Sequence, residues 1–337
     1  MTGLDIGSKT IKIVEIQKQG AGYSLSASGI VGFTGNSVEK VTSDKELSAL
    51  SQIIKKLHAE AGIVSRDVAI SIPEQSAFTR TVAFPLLNDA EIASAVRWEL
   101  EQYIPIPAKD AISQHVILER DETTSPPQVV VLLVAAPRVL VEKYTKIVTL
   151  AGLNPIAVET ELIAITRALA PVDRTALLVD IGANSTAIAI TKNGQLTFSR
   201  AIPIGGEAFT RAVAQGLRIT PVQAEEYKKT YGFIPTQLEG KVKTALNPVL
   251  RLVVDEIKKA IGFYESEQKG EAPTSVLISG GGSGAPQIIN ELTEMLGIEV
   301  SIANPFGKIT LDAETAKKLA PYAPLYSVAV GLALREQ

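Results

Sequence analysis

The chain contains no cysteine, which excludes disulfides, thiolate nucleophiles and cysteine-ligated metal sites. Only two histidines are present, His58 and His115, too few for a histidine cluster around zinc and a poor basis for a serine–histidine–aspartate triad. Neither charge is in excess: 33 lysines and arginines face 36 aspartates and glutamates, without the basic footprint of a nucleic-acid binder. The longest aliphatic run, residues 129–136, falls far short of the ~20 residues that a membrane helix needs. The start, MTGLDIGSKT, has neither a basic n-region nor an apolar h-region, so no signal peptide is read. Direct membrane insertion is therefore not expected, and the expected compartment is the cytoplasm.

What is present suffices for a large core. Of 337 residues, 46% are hydrophobic and 20% charged, and at about 100–200 residues per domain the length suggests roughly two domains. Residues 4–16 read as strand, with a Gly20-Ala21-Gly22 turn and a return strand over 23–33. Residues 44–61 have apolar positions at helical spacing, stopped by Gly62. Short strands follow at 68–72 and 78–84.

The texture changes at Pro85. Asn88 and Glu91 form a capping-box signature for a helix reaching about Tyr103, ended by Pro105 and Pro107. Strands at 112–118 and 129–135 flank a polar loop at 121–128, and a helix at 139–151 and a strand at 156–158 complete an expected αββαβ insert. Then the opening repeats. Residues 177–182 end an aliphatic strand in Asp-Ile-Gly, and Asn193-Gly194 is a strong hairpin turn. Asp5-Ile6-Gly7 and Asp180-Ile181-Gly182 thus occupy equivalent places, which suggests a duplicated domain. Helices dominate 207–267, including one entered at Thr220-Pro221. A strand at 275–279 leads into a glycine run, and residues 324–334 read as an apolar helix.

The chemistry concentrates at the two turns. Gly7-Ser8 is a tight turn whose backbone N–H groups make an anion-binding nest, with Ser8, Lys9 and Thr10 as further donors. Lys12 would meet a phosphate as a point charge, and Asp5 would hold a water of a hydrated Mg²⁺. Gly182, Ala183, Asn184, Ser185 and Thr186 supply a second nest, with Asp180 as its carboxylate. The plain alternative is two polar hairpin tips. Gly280, Gly281, Gly282 and Ser283 allow close backbone approach to a ligand. The same run satisfies G-x-G-x-x-A (Gly280, Gly282, Ala285), but only one βαβ unit remains after it, which disfavours a dinucleotide fold. Glu225 and Lys228 share a helix face, as a nucleoside contact or as an ordinary surface ion pair. His58 reads as a surface or packing residue and His115 as a structural one, neither as a ligand, and Trp98 reads as core of the insert.

Together, the paired Asp-x-Gly hairpins, the late Ser-Gly-Gly-Gly loop and the terminal apolar helix resemble the actin-like ATPase superfamily. Asp5, Gly7, Ser8 and Lys12 match its first phosphate motif, Asp180 and Gly182 its second, Ser279 to Gly282 its adenosine motif, and Glu225 with Lys228 its nucleoside-flanking pair. Glu161 lines up with the connecting-helix acid that positions the attacking water in filament-forming relatives. The insert resembles the displaced subdomain of the FtsA/PilM group, and Trp98-Glu99-Leu100-Glu101-Gln102-Tyr103-Ile104-Pro105 is similar to the PilM family of type IV pilus assembly. Two departures stand out: Asp5 is very near the start, and Glu159 replaces a more usual aspartate.

The resemblance implies an α/β, actin-like fold of two duplicated RNase H-like halves, at 1–84 and 159–337, around an insert at 85–158. A helical subdomain at about 206–272 and a terminal helix packing back on the first half complete it. It further implies ATP with Mg²⁺ at Asp5 and Asp180, and catalytic positions at Glu161 and Asp180, with hydrolysis left open. The implied partner is the cytoplasmic amino-terminal segment of PilN, docked between the first half and the insert. Contacts with the pilus assembly ATPase and platform protein, self-association, and recruitment to the inner face of the cytoplasmic membrane are also implied. The alternatives are an FtsA-like or other actin-like ATPase or kinase with real turnover, and the related type II secretion component.

Overall fold

The computed structural model describes residues 1–336 except Ala21, Pro105, Thr124 and residues 267–269. Ala21 of the expected first turn, the helix-ending Pro105, Thr124 of the polar loop and Glu267 at the expected end of the long helix lie outside the described residues.

The opening segment divides into β1 (Thr2–Ile6) and β2 (Thr10–Gln19), antiparallel across the Gly7-Ser8 turn, and β3 (Gly22–Gly32) returns beside β2. α1 (Asp44–Glu60) starts at a capping box between Ser43 and Glu46 and turns Leu47, Leu50, Ile54 and Leu57 inward. β4 (Asp67–Ile72) lies parallel to β1.

The insert differs from expectation in its boundaries. β5 (Phe78–Pro85) pairs with β7 (Gln128–Pro137), which also pairs with β6 (Ala111–Asp121), so the three-stranded sheet β5-β7-β6 begins before Pro85. α2 (Asp89–Tyr103) covers this sheet, setting Ile92 and Val96 against Val129, Val131 and Leu133. At the other boundary, α3 (Arg138–Leu150) packs Tyr144, Ile147 and Val148 into the core of the first half. β8 (Asn154–Thr160) pairs in parallel with β4. Residues 138–160 therefore join the first half, α3 by burying Tyr144, Ile147 and Val148 in its core and β8 by pairing with β4.

The second half follows α4 (Glu161–Leu169). It comprises β9 (Ala176–Ile181), β10 (Thr186–Lys192), β11 (Gln195–Ile202), α5 (Gly206–Leu217), α6 (Pro221–Tyr231), α7 (Lys241–Ser266), β12 (Ser275–Ser279), α8 (Ile288–Leu296) and β13 (Glu299–Ile302). Its sheet order, β11-β10-β9-β12-β13, repeats the order β3-β2-β1-β4-β8 of the first half, with the same antiparallel and parallel pairings. The chain then returns. β14 (Ile309–Thr310) joins the first sheet beside β3, and α9 (Ala313–Leu319) leads towards α10 (Ser327–Ala333).

α4 and α10 contribute to one apolar core with residues from both sheets, Val14 and Ala69 on one side and Leu178 and Ala189 on the other. The packing is backbone-close. A Cβ on Gly331 of α10 would stand 1.8 Å from the Ala164 carbonyl oxygen of α4, and one on Gly3 of β1 would stand 2.1 Å from the Ala329 oxygen. Glu159 is bound by Arg167 at 2.9 Å and by Arg335 at 3.2 Å, tying the chain end to the start of α4. Among the described residues no helix is long and apolar enough to cross a membrane.

Candidate functional site

The two Asp-x-Gly turns have the same backbone geometry. Gly7 N–H donates to the Thr10 carbonyl at 3.1 Å, and Gly182 N–H to that of Ser185 at 2.9 Å. Each is tight enough that a Cβ would approach that same carbonyl to 3.0 or 3.1 Å. The turn of residues 182–185 also carries the start of α5, since Gly206 N–H bonds the Gly182 carbonyl and Glu207 N–H that of Ala183, both at 2.9 Å. Gly280 has φ 78°, and a Cβ there would meet the Ile181 oxygen at 2.6 Å and Asp180 Oδ1 at 2.9 Å. Only glycine lets this loop lie against the second acidic strand.

These pieces line one cleft of about 560 Å³ between the halves. Asp5, Gly7, Ser8, Lys9, Thr10 and Lys12 come from the first half, and Gly182, Ala183, Asn184 and Ser185 from the second. Glu161 and Asp180 line the same cleft, as do Glu225, Lys228, Gly280, Gly281, Gly282 and Ser283. Thr186 does not line it. It is fully buried at the start of β10, and its hydroxyl donates to the Ile204 carbonyl at 2.6 Å, so its part is to hold the strand.

Within the cleft Lys12 Nζ donates to Asp5 Oδ2 at 2.9 Å, and Ser279 Oγ to Asp180 Oδ1 at 2.6 Å. Lys228 Nζ binds Glu225 at 2.6 Å, Thr210 Oγ1 at 2.8 Å and the Gly206 carbonyl at 3.1 Å. Glu225 and Lys228 are thus built into the cleft wall and are not a loose surface pair. Burial works against the charge on Glu225, but hydrogen bonds from Lys228 and Thr210, with the Lys228 and Lys229 ammonium groups, lower its pKa to about 2. At the mouth, Lys9 of the first half meets Glu207 of the second at 3.0 Å.

The carboxylates of the floor are pushed the other way from Glu225. Desolvation pushes the Glu161 pKa well above the ordinary glutamate value, and the charges of Asp5 and Asp180 add to the rise. Desolvation also raises Asp180. Among the described residues no three Asp, Glu or His side chains converge as direct metal ligands. Carboxylates that raise one another's pKa, set beside two tight glycine turns, do fit a hydrated divalent cation held through water.

A consequence for stability follows from Glu161. A carboxyl with a raised folded pKa binds more protons folded than unfolded, so its ionisation destabilises the fold as pH rises above about 4.5. Glu161→Gln is therefore expected to stabilise the ligand-free protein at neutral pH by about 1 kcal/mol. The gain should shrink towards pH 4 in thermal melts. A variant less stable than the parent at pH 7 would show that the floor does not carry this repulsion.

Sequence reasoning missed the apolar side of the cleft: Phe209, Phe233, Leu246, Ile288, Tyr322 and Leu325. They come from several elements and read locally as core, so no local signal marked them. Trp98, expected in the core of the insert, is 57% exposed on α2. The core-facing stripe of that helix is already filled by Ile92 and Val96, which leaves Trp98 outside. His115 is exposed on β6, and His58 Nε2 lies 2.8 Å from the Ser65 carbonyl, closing the end of α1.

The model of a family described as type IV pilus assembly protein PilM matches residues 3–337. Cell division protein FtsA of Bacillus subtilis (strain 168) is 24% identical over 247 residues, 61% of this chain, which spans 54% of that protein's length. FtsA of Enterococcus hirae is 23% identical over 354 residues, covering 90% of this chain and 78% of the relative. A solved PilM-PilN type IV pilus biogenesis complex matches with a TM-score of 0.85 and 28% identity, covering 99% of this chain and 97% of the other. MreB5 of Spiroplasma citri, solved bound to ADP, matches with a TM-score of 0.55 at 13% identity over 98% and 94% of the two chains, a likeness of fold alone. The fold is that of the actin-like ATPases.

Proposed function

The chain belongs to the type IV pilus assembly protein PilM family, and on that premise we propose that it is an ATP-binding assembly factor that docks the cytoplasmic amino-terminal segment of PilN. The observation that carries the nucleotide part is the placement of Asp5 and Asp180, each beside a tight glycine turn, in one cleft. In this reading the Gly7-Ser8 and Gly182–Ser185 turns grip the phosphates from both halves. Lys12 supplies a fixed positive charge, and Lys9 exchanges Glu207 for phosphate. Glu225 and Lys228 face the ribose, and the glycine loop at 280–282 with the apolar wall takes the base. Bound Mg²⁺ would neutralise phosphate charge, with Asp5 and Asp180 holding its waters.

The docking part is supported by the similarity to the PilM-PilN complex. A chain of this kind reaches the inner face of the cytoplasmic membrane through its partner, and a peptide lying in a preformed groove between the first half and the insert would provide that link. Nucleotide acts by drawing the two halves together about α4 and α10, biasing the groove. Contacts with the assembly ATPase and the platform protein, and self-association, extend the same reading.

The test is binding of a synthetic PilN amino-terminal peptide, with a parallel thermal shift by ATP and Mg²⁺. Saturation at 100 times Kd should add about 2.7 kcal/mol, a shift of several degrees. No peptide binding with or without ATP would sink the docking reading, and a melt unmoved by ATP would sink the nucleotide reading. A second reading, with real hydrolysis, is favoured by Glu161 lining the same cleft as both nests; steady phosphate release lost in Glu161→Gln would establish it.

A further inference from the structure

Glu74 is a buried carboxyl beside the cleft, 4% exposed, which the nucleotide reading leaves without a task. It lies on a short 3-10 turn (Glu74–Ser76) between β4 and β5, flanked by Pro73 and Gln75, both of which line the cleft. Its backbone N–H donates to Glu161 Oε2 at 3.2 Å. Its own side chain does not line the cleft. It is faced instead by the hydroxyls of Thr160, Thr79 and Ser199 and by the backbone N–H of Leu162. Those groups belong to the start of α4, to β5 of the insert and to β11 of the second half, so elements of all three sheets meet at one carboxyl.

Two features make this more than a packed polar residue. First, the contact with α4 is reciprocal. The Glu74 main chain holds the Glu161 carboxylate, while its carboxyl faces the first turn of the helix that carries Glu161. Thr160, the residue in the capping position of α4, makes no side-chain capping bond. Second, the cluster is loosely bonded: the Thr160 and Thr79 hydroxyls face the Glu74 carboxyl, yet Glu74 Oε2, Thr79 Oγ1 and Thr160 Oγ1 are buried and make no hydrogen bond of good geometry. Ser199 Oγ meanwhile reaches the Thr79 carbonyl at 3.3 Å. Buried polar groups gain free energy when paired, so a small movement that tightens these bonds is favourable.

We propose that Glu74 is a positioning residue that orients Glu161 through its main-chain N–H and, through its carboxyl and Thr79, couples the state of the nucleotide cleft to β5, the root strand of the inserted sheet. The proposal rests on the reading that the cleft binds Mg-ATP. It gives the insert a direct mechanical connection to that cleft, through a turn of three residues and not through a long chain of contacts.

The experiment is hydrogen–deuterium exchange on the full chain with and without Mg-ATP, with nucleotide affinity measured separately using a fluorescent ATP analogue. In the parent protein Mg-ATP should slow exchange over residues 78–85 by at least about 5-fold. Glu74→Ala and Thr79→Val should bind nucleotide within about 3-fold of the parent yet lose that response, while Glu74→Gln, which keeps the shape and an acceptor, should restore it. Thr79→Val removes one hydroxyl at constant volume, so it decides the matter if Glu74→Ala fails to fold. Nucleotide binding with unaltered exchange at 78–85 in the parent, or an undiminished response in Thr79→Val, would overturn the coupling alone. Absence of nucleotide binding in the parent would overturn the nucleotide reading, and the coupling with it.

Discussion

Gly331→Ala is expected to destabilise the protein by about 3–5 kcal/mol, a large fraction of the 5–15 kcal/mol that holds most domains together. Intrinsic propensity argues the other way, because alanine is better than glycine inside a helix by up to about 1 kcal/mol. The contact decides. The new methyl would stand 1.8 Å from the Ala164 carbonyl oxygen and 2.4 Å from its carbon, so α10 and α4 must move apart or unwind. Both helices sit in the core shared by the two sheets, so the movement would be felt in both halves. Gly3→Ala should behave alike, its methyl 2.1 Å from the Ala329 oxygen. Gly262→Ala is the control: it lies inside α7 with nothing within 4 Å, and should stabilise by about 0.4–1 kcal/mol. At roughly 2–4 °C per kcal/mol, the Gly331→Ala and Gly262→Ala variants should melt about 7 °C or more apart. Equal melting temperatures would mean that α4 and α10 do not cross backbone to backbone.

The sequence disclosed what local pattern encodes. Asp5-Ile6-Gly7 and Asp180-Ile181-Gly182 each require a glycine where the backbone folds on a carbonyl three residues on, and that requirement is visible in a few letters. The repeated strand order follows from the same hairpins. What stayed hidden depends on partners distant in the chain. β5 looks like any short strand; only its register with β7, from Phe78 opposite Ala135 to Pro85 opposite Gln128, assigns it to the insert. β8 is assigned by β4 in the same way. β14 is two residues long, below any periodicity, and exists because β3 offers it an edge. Glu74 carries no motif at all. Its burial arises where three sheets meet, which no window of sequence contains. Trp98 failed for the converse reason: the helical pattern was right, but the narrow stripe facing the insert's sheet was already filled.

Lys12→Met should cost about 3–5 kcal/mol, because it strands Asp5 as an unpaired carboxylate in a site where the two side chains are only 10% and 5% exposed. Asp5→Asn should be milder, about 1–2 kcal/mol, since it removes a charge that raises the pKa of both Glu161 and Asp180 and so relieves a repulsion as it breaks the pair. The double variant, with a neutral amide beside a thioether of similar length, should lie within about 1.5 kcal/mol of the parent, leaving a large coupling energy in the cycle. Nucleotide binding should not follow the same order. If Lys12 meets a phosphate and Asp5 the water shell of the cation, the double variant should lose Mg-ATP affinity at least about 100-fold, or ~2.7 kcal/mol, although its fold is intact. Urea titrations and calorimetric titration with Mg-ATP on all four proteins separate the two effects. A stable double variant that still bound Mg-ATP as the parent does would remove this pair from the nucleotide site and leave it a purely structural bridge between β1 and β2. A single Lys12→Met variant as stable as the parent would show instead that water reaches Asp5 freely, and the low-dielectric floor on which the repulsion at Glu161 depends would be lost with it.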